Sequence, residues 1–205
     1  ALMKITKTLL IFLILFSCNN QDNVKQVNVE INSQRFDLEL FTIDSINYDS
    51  KILEIDNKNK GFLDYYLKNH IGMIYDNDSI KKSYLLTFIS HPDVVLFQSN
   101  IQNKFDSIIN LESYNKKIKS SFGKYLSFFP DSIIPKKIIY TNSFNSFAID
   151  SYNHNLVIGL DFYLGSLHPA SNIWDYLKFR YNERYMVADV MEYWITSSFI
   201  HKASI

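Results

Sequence analysis

Apolar and polar residues alternate over residues 27–31 (VNVEI), the period of a half-buried strand. Phe36, Leu38 and Leu40 alternate in the same way, and Asn32-Ser33 between the two runs supplies turn chemistry, so the pattern predicts an N-terminal strand pair. From Gly61 the period becomes helical. Phe62, Tyr65, Tyr66 and Asn69 share a face before a break at Ile71-Gly72, and Ile80, Tyr84 and Phe88 form the next stripe. Ser90-His91-Pro92-Asp93 reads as a helix start, with Ser90 at the N-cap, Pro92 in the first turn and Asp93 completing a capping box. Val94, Phe97, Ile101, Phe105 and Ile108 then step by three and four, and Leu111, Tyr114, Ile118, Phe122, Tyr125 and Phe129 continue the steps until Pro130 stops them. These stripes predict consecutive amphipathic helices.

The character changes after Pro130. Residues 136–141 (KKIIYT) read as a strand, and Phe147-Ala148-Ile149-Asp150 and Leu156-Val157-Ile158-Gly159-Leu160 flank a polar run, residues 151–155, suited to a hairpin loop. A last helix is predicted over residues 183–198, with Met186, Val187, Val190, Met191 and Trp194 as its apolar stripe and Asp189 and Glu192 off it. Strands, helices, strands and a helix in that order predict an α+β domain over residues 27–205.

The N-terminus carries a different signal. Lys4 and Lys7 precede an unbroken apolar run from Leu9 to Phe16, which is too short to cross a bilayer as a helix and fits a secretory signal peptide over residues 1–17. Cys18 follows at once and is the single cysteine of the chain. Leu15-Phe16-Ser17-Cys18 resembles a bacterial lipobox, in which the cysteine thiol is acylated; Phe16 is its loosest match. A plain signal peptide and a buried core thiol are the alternatives. Residues 18–26 then read as a lipidated cysteine and a polar tether, and acylation predicts attachment to a membrane. With one cysteine the fold is held by its core and not by disulfides. Ala1 and Leu2 precede Met3, and the last apolar pattern stops without a cap at His201, features that suggest a fragment.

Loss of Lys4 and Lys7 with the leader leaves two fewer than the 21 basic residues against 21 acidic ones, a net charge of about −2. That balance gives no electrostatic case for nucleic acid. Phe, Tyr, Ile, Asn and Lys are abundant, as AT-rich codon usage produces, although exposed tyrosines also suit a glycan-binding surface.

Candidate chemistry is sparse. His70, His91, His154, His168 and His201 form no H-E-x-x-H and no close helical pair, so neither a metal nor another cofactor is expected. Gly165-Ser166-Leu167-His168-Pro169 lacks the second glycine of a nucleophile elbow. Carboxylates remain. Asp150 closes one strand of the predicted hairpin and Asp161 follows the other, and a hairpin in register would bring them near one another for general acid–base work. Against that, Asp at a strand-to-helix junction is a favoured N-cap, contributing about 1 kcal/mol, and this reading of Asp161 is preferred. Gly165 suits a positive φ after a short helical turn.

Several stretches together resemble the gliding-motility lipoprotein family GldB of Bacteroidota. They are the lipobox at Cys18, Arg35-Phe36-Asp37 with Leu40-Phe41, and the amphipathic helices. To these are added Tyr125-Leu126-Ser127-Phe128-Phe129-Pro130 and, most distinctive, Val157-Ile158-Gly159-Leu160-Asp161-Phe162-Tyr163-Leu164-Gly165. Tyr176-Leu177-Lys178-Phe179-Arg180-Tyr181 and Arg184-Tyr185-Met186-Val187-Ala188-Asp189-Val190 complete the set.

The resemblance implies a membrane-anchored cell-envelope protein serving gliding or its associated secretion machinery, and it implies no enzymatic role; a non-enzymatic protein acting through protein contacts is the expectation. It also implies a longer chain with further helices. A strand pair followed by a helix suggests in addition a degenerate metallopeptidase-like scaffold, since residues 187–192 (VADVME) hold no histidine. The competing expectation is an envelope hydrolase using Asp150 or Asp161 with residues beyond this chain.

Overall fold

The computed structural model describes residues 27–168 and 179–203. The expected signal peptide, Cys18, the expected tether and the Tyr176-Leu177-Lys178 part of the family stretch lie outside the described residues.

The fold is α+β, as the pattern predicts. Four strands form one sheet: β1 (Asn32–Arg35), β2 (Lys137–Thr141), β3 (Ile149–Tyr152) and β4 (Asn155–Gly159), in the order β1-β2-β4-β3. The β1–β2 and β2–β4 pairs are parallel and the β3–β4 hairpin is antiparallel. Among the described residues the α-helices are α1 (Phe36–Leu40), α2 (Tyr48–Lys58), α3 (Phe62–Asn69), α4 (Asp78–Ser90), α5 (Pro92–Gln102), α6 (Leu111–Phe128) and α7 (Met186–Ala203).

Both faces of the sheet are covered, which explains the continuous apolar run of the inner strands. Successive side chains of a strand point to opposite faces. Ile138, Tyr140, Leu156 and Ile158 therefore pack with α5, α6 and α7, around Phe97, Ile101, Phe122, Met186 and Trp194. Ile139 and Val157 point the other way, into a core built by α1 to α4 around Phe36, Phe62, Tyr66 and Leu85. The result is a three-layer sandwich with two hydrophobic cores.

The expected N-terminal strand pair is corrected. A single strand occupies Asn32–Arg35, where a turn was expected, and the second expected strand is helix α1. Residues 27–31 run extended, with Val29 and Ile31 buried and Asn28 and Glu30 exposed, as an alternating strand would be. Their apolar side chains join the α6 core without a ladder of strand hydrogen bonds. In α1 the spacing of Phe36 and Leu40 serves a helix face equally well, and both are buried.

Other boundaries shift less. Ser90 ends α4, and the ring of His91 caps α5 by accepting from Asp93 N at 3.3 Å. The hairpin loop tightens from five residues to two, Asn153-His154, with φ of 48° and 61°. Two positive φ angles match the right-handed twist of the strands they join. Helix α2 falls where the pattern predicts nothing.

Candidate functional site

Strand order places β4 between β2 and β3, so the chain leaving β2 must cross the carboxyl end of β4 to reach β3. Residues 142–148 make that crossing. Gly159, the last residue of β4, donates its N–H to Ala148 O at 2.9 Å. A Cβ at Gly159 would lie 2.3 Å from Phe147 O and 2.9 Å from the Ser143 side chain, so only glycine admits the crossing. Within the loop Phe144 and Asn145 hold φ of 51° and 64°. For a non-glycine residue the left-handed region costs roughly 1–2 kcal/mol, so neighbouring contacts must hold it.

Asp161 supplies them. It is fully buried. Oδ1 accepts from Ser143 N at 2.7 Å, and Oδ2 accepts from Ser143 Oγ at 2.7 Å and from Asn145 N at 2.8 Å. Burial pushes the carboxyl up to about 6, although the donated hydrogen bonds pull it down. The expected N-cap role is therefore corrected. The 3₁₀ helix that follows, Leu160–Tyr163, has Gly159 at its N-cap and no side-chain capping bond. Asp161 caps the crossing loop instead.

A second polar chain reaches the same loop through the core. The Arg35 guanidinium donates to buried Asp37 through Nε (2.8 Å) and Nη2 (2.7 Å), and Nη1 also pairs with Asp106. Gln98 Nε2 donates to Asp37 Oδ2 at 3.0 Å, and Gln98 Oε1 accepts from Asn142 Nδ2 at 3.4 Å. Asn142 Oδ1 in turn accepts from Phe144 N at 3.1 Å, and Tyr66 OH donates to Asn142 O at 2.7 Å. Buried polar groups persist when each is hydrogen-bonded. These are, and they converge on one turn.

The outer edge of the loop meets Asp150. The hairpin is in register, with Asp150 opposite Val157. Asp150 and Asp161 nevertheless serve separate networks. Asp150 accepts from Tyr65 OH (2.6 Å) and Tyr193 OH (3.2 Å), tying β3 to α3 and α7. Burial raises its carboxyl, but His70 and the Tyr65 hydrogen bond outweigh it and hold the group below its usual value. His70 Nε2 lies 3.0 Å from Asp150 Oδ2, off the line of the ring N–H, and His70 Nδ1 lies 3.3 Å from Ser146 Oγ. Hydroxyl, imidazole and carboxylate thus stand in sequence. The N–H groups around that hydroxyl are committed, however: Asn145 N to Asp161, Ser146 N to Ser143 O, and Phe147 N to Ser143 Oγ.

On the far side of Asp161 the motif continues into a shallow cleft. Phe162 stacks on Tyr181 with ring centres 5.5 Å apart, and Leu164 bridges to Asn182. Tyr163 OH donates to Asp189 Oδ2 at 3.0 Å, and Arg180 Nη2 contacts Asp189 Oδ1 at 3.1 Å. Ala148, Phe162, Tyr163, Arg180, Tyr181 and Asp189 line the cleft. Gly165 has φ of 63°, as its position suggested, and a Cβ there would lie 3.5 Å from the Lys104 ammonium, which pairs with Glu183 at 2.7 Å. Stretches far apart in the sequence therefore meet in one place.

That convergence agrees with the comparison that decides the family. The sequence profile of the family described as gliding motility protein GldB matches residues 17–204. The chain belongs to this family. The GldB match starts one residue before Cys18 and includes the crossing loop, Asp161, Gly165 and α7. The family is one of gliding motility, and the profile carries a lipoprotein label. No curated protein and no solved structure matches the chain. Among the described residues no helix is long and apolar enough to cross a membrane, and no three His, Cys, Asp or Glu side chains are grouped to hold a metal ion.

The sequence pointed to Asp161 and Gly165, and to Asp37 only as part of a family stretch and His70 only as one of five histidines, whereas Ser143, Asn142 and Gln98 were missed. The run Thr141-Asn142-Ser143-Phe144-Asn145-Ser146 after a buried strand was the available signal for Ser143 and Asn142. Gln98 lies on α5 beside the apolar stripe, and nothing local in the sequence marks it as buried.

Proposed function

We propose that this GldB-family chain is a lipid-anchored, non-enzymatic cell-envelope protein that supports gliding motility or its associated secretion machinery through protein contacts. One observation carries the reading: the family match runs from Ser17 through the lipobox cysteine and across the whole described domain. Acylated Cys18 holds the protein at a membrane, and the sandwich presents its surface to partners. The internal chemistry supports a scaffold, because both oxygens of Asp161 are spent on holding the crossing loop. Replacing Cys18 by Ala tests the anchor. The variant should move to the soluble fraction and fail to restore gliding in a strain lacking the gene; membrane retention with normal gliding would refute the proposal.

A second reading, an envelope hydrolase, rests on Ser146, His70 and Asp150. Ser146 is exposed, and its hydroxyl lies beside an imidazole that in turn meets a carboxylate. Acyl transfer also needs donors for the oxyanion, and the N–H groups flanking Ser146 are already used. Incubation of the full chain with a fluorophosphonate separates the readings. The scaffold reading expects no covalent adduct; an adduct on Ser146, lost in His70→Ala, would favour the hydrolase.

A further inference from the structure

Residues 27–33 lie antiparallel along α6. Val27 N donates to Gly123 O at 3.3 Å, and Ser33 Oγ accepts from Asn115 Nδ2 at 3.0 Å. Followed towards its N-terminus, the chain leaves the domain heading for the carboxyl end of α6. Residues 19–26 separate Val27 from Cys18, a span of at most about 30 Å even fully extended. An acyl group on Cys18 would therefore keep this end of the domain close to the bilayer.

The surface at that end is apolar. Phe128 is 64% exposed, Phe129 49%, Ile133 64% and Val27 41%. The Ile133 segment is fixed to the domain, because Trp194 Nε1 donates to Ile133 O at 2.9 Å. The helical period puts Lys116, Lys117 and Lys124 with Phe128 on the face opposite buried Ile118, Phe122 and Tyr125. All three lysines are exposed, and among the described residues none pairs with a carboxylate. Glu112 is the single acid of α6, with Glu30 and Asp131 exposed at its margins. Aromatic side chains beside a row of lysines match the interface of an anionic bilayer, which receives rings at headgroup depth and attracts cations.

We propose that the outward face of α6 and the Phe128, Phe129 and Ile133 end lie against the anionic lipid surface that carries acylated Cys18. The domain then has one fixed orientation on the membrane, with the crossing loop and the cleft turned to the partners. This rests on the anchoring reading above.

The full chain, acylated in cells and reconstituted into phosphatidylglycerol–phosphatidylcholine vesicles, provides the test. Acylation blocks the Cys18 thiol, so Phe128→Cys introduces the one site for an environment-sensitive dye. Ile46→Cys, 95% exposed beside the other core, is the control. The dye at 128 should shift to the blue and be quenched by spin-labelled lipid, and the dye at 46 should do neither. Ile133→Cys should repeat the result at 128. Combined Lys116→Glu, Lys117→Glu and Lys124→Glu substitutions should abolish the shift. Protein that floats with vesicles while positions 128 and 133 report water overturns this inference and leaves the anchor standing. Protein with a reactive Cys18 that stays off the vesicles overturns both.

Discussion

Asp161 and Ser143 are joined twice, with one carboxylate oxygen accepting from the backbone N–H and the other from the hydroxyl, each at 2.7 Å. The two residues lie 18 positions apart, and their junction fixes the chain as it passes over the end of β4. Asp161→Asn keeps the shape but turns an amide NH₂ towards groups that are themselves donors. Destabilisation of about 2–4 kcal/mol is expected, against about 1–2 kcal/mol for Ser143→Ala, which loses the short hydrogen bond to Asp161 and the long one from Phe147 N. Urea midpoints at unchanged m-value measure both.

Asp161 also sets a pH dependence. Its folded-state value of about 6 stands above the ordinary carboxylate value of 3.8, so between them the native protein binds more protons than the unfolded chain. This contribution to stability is greatest below pH 4, falls as pH rises towards about 6 and is level beyond. Linkage puts the change at about 3 kcal/mol. The difference in unfolding free energy between the protein and Asp161→Asn, followed from pH 4 to pH 7, should show this slope. A flat difference would contradict it.

Two glycines of the family motif should respond differently to alanine. At Gly159 the added Cβ meets backbone, Phe147 O at 2.3 Å, and the loop must lift or the strand must yield. A loss above about 3 kcal/mol, or no folded protein, is expected. At Gly165 the nearest atom is the end of a lysine side chain at 3.5 Å, so the cost is mainly the positive φ, about 1–2 kcal/mol. Thermal melts of both variants rank them.

Arg35→Met leaves the fully buried Asp37 without its bidentate partner. A loss of about 3–5 kcal/mol is expected, because the remaining charge is uncompensated. Adding Asp37→Leu should recover part of it, leaving Gln98 to pair with Asn142 alone. A double variant no better than the single one would mean that the loop depends on the charge and not only on its neutralisation.

Much of the architecture was legible because burial imposes a period. The steps of Phe97, Ile101, Ile118 and Phe122 marked helices whose inner faces are these residues, and residues 136–141 read as a strand because both sides of it are covered. The N-terminal pair failed for a physical reason. Val29 and Ile31 alternate with exposed residues because an extended chain lies along α6, and alternation reports burial, not pairing. Asp161 stood out as an acid after a strand, but its partners did not. The Ser143 and Asn145 amides are backbone groups, and sequence does not say which backbone N–H a buried carboxylate will collect. His70 and Asp150, 80 residues apart, meet only through strand order, which period alone does not supply.

Phe144, in the left-handed part of the crossing loop, has one further consequence. Its ring packs edge-on against Phe88 of α4 at 5.0 Å and Phe97 of α5 at 5.7 Å, and so touches both cores. Neither helical layer can separate from the sheet without extracting a ring that the other layer also grips. Amide exchange in α4 and in α5 should therefore slow and quicken together, as one cooperative unit, and Phe144→Ala should uncouple the two rates.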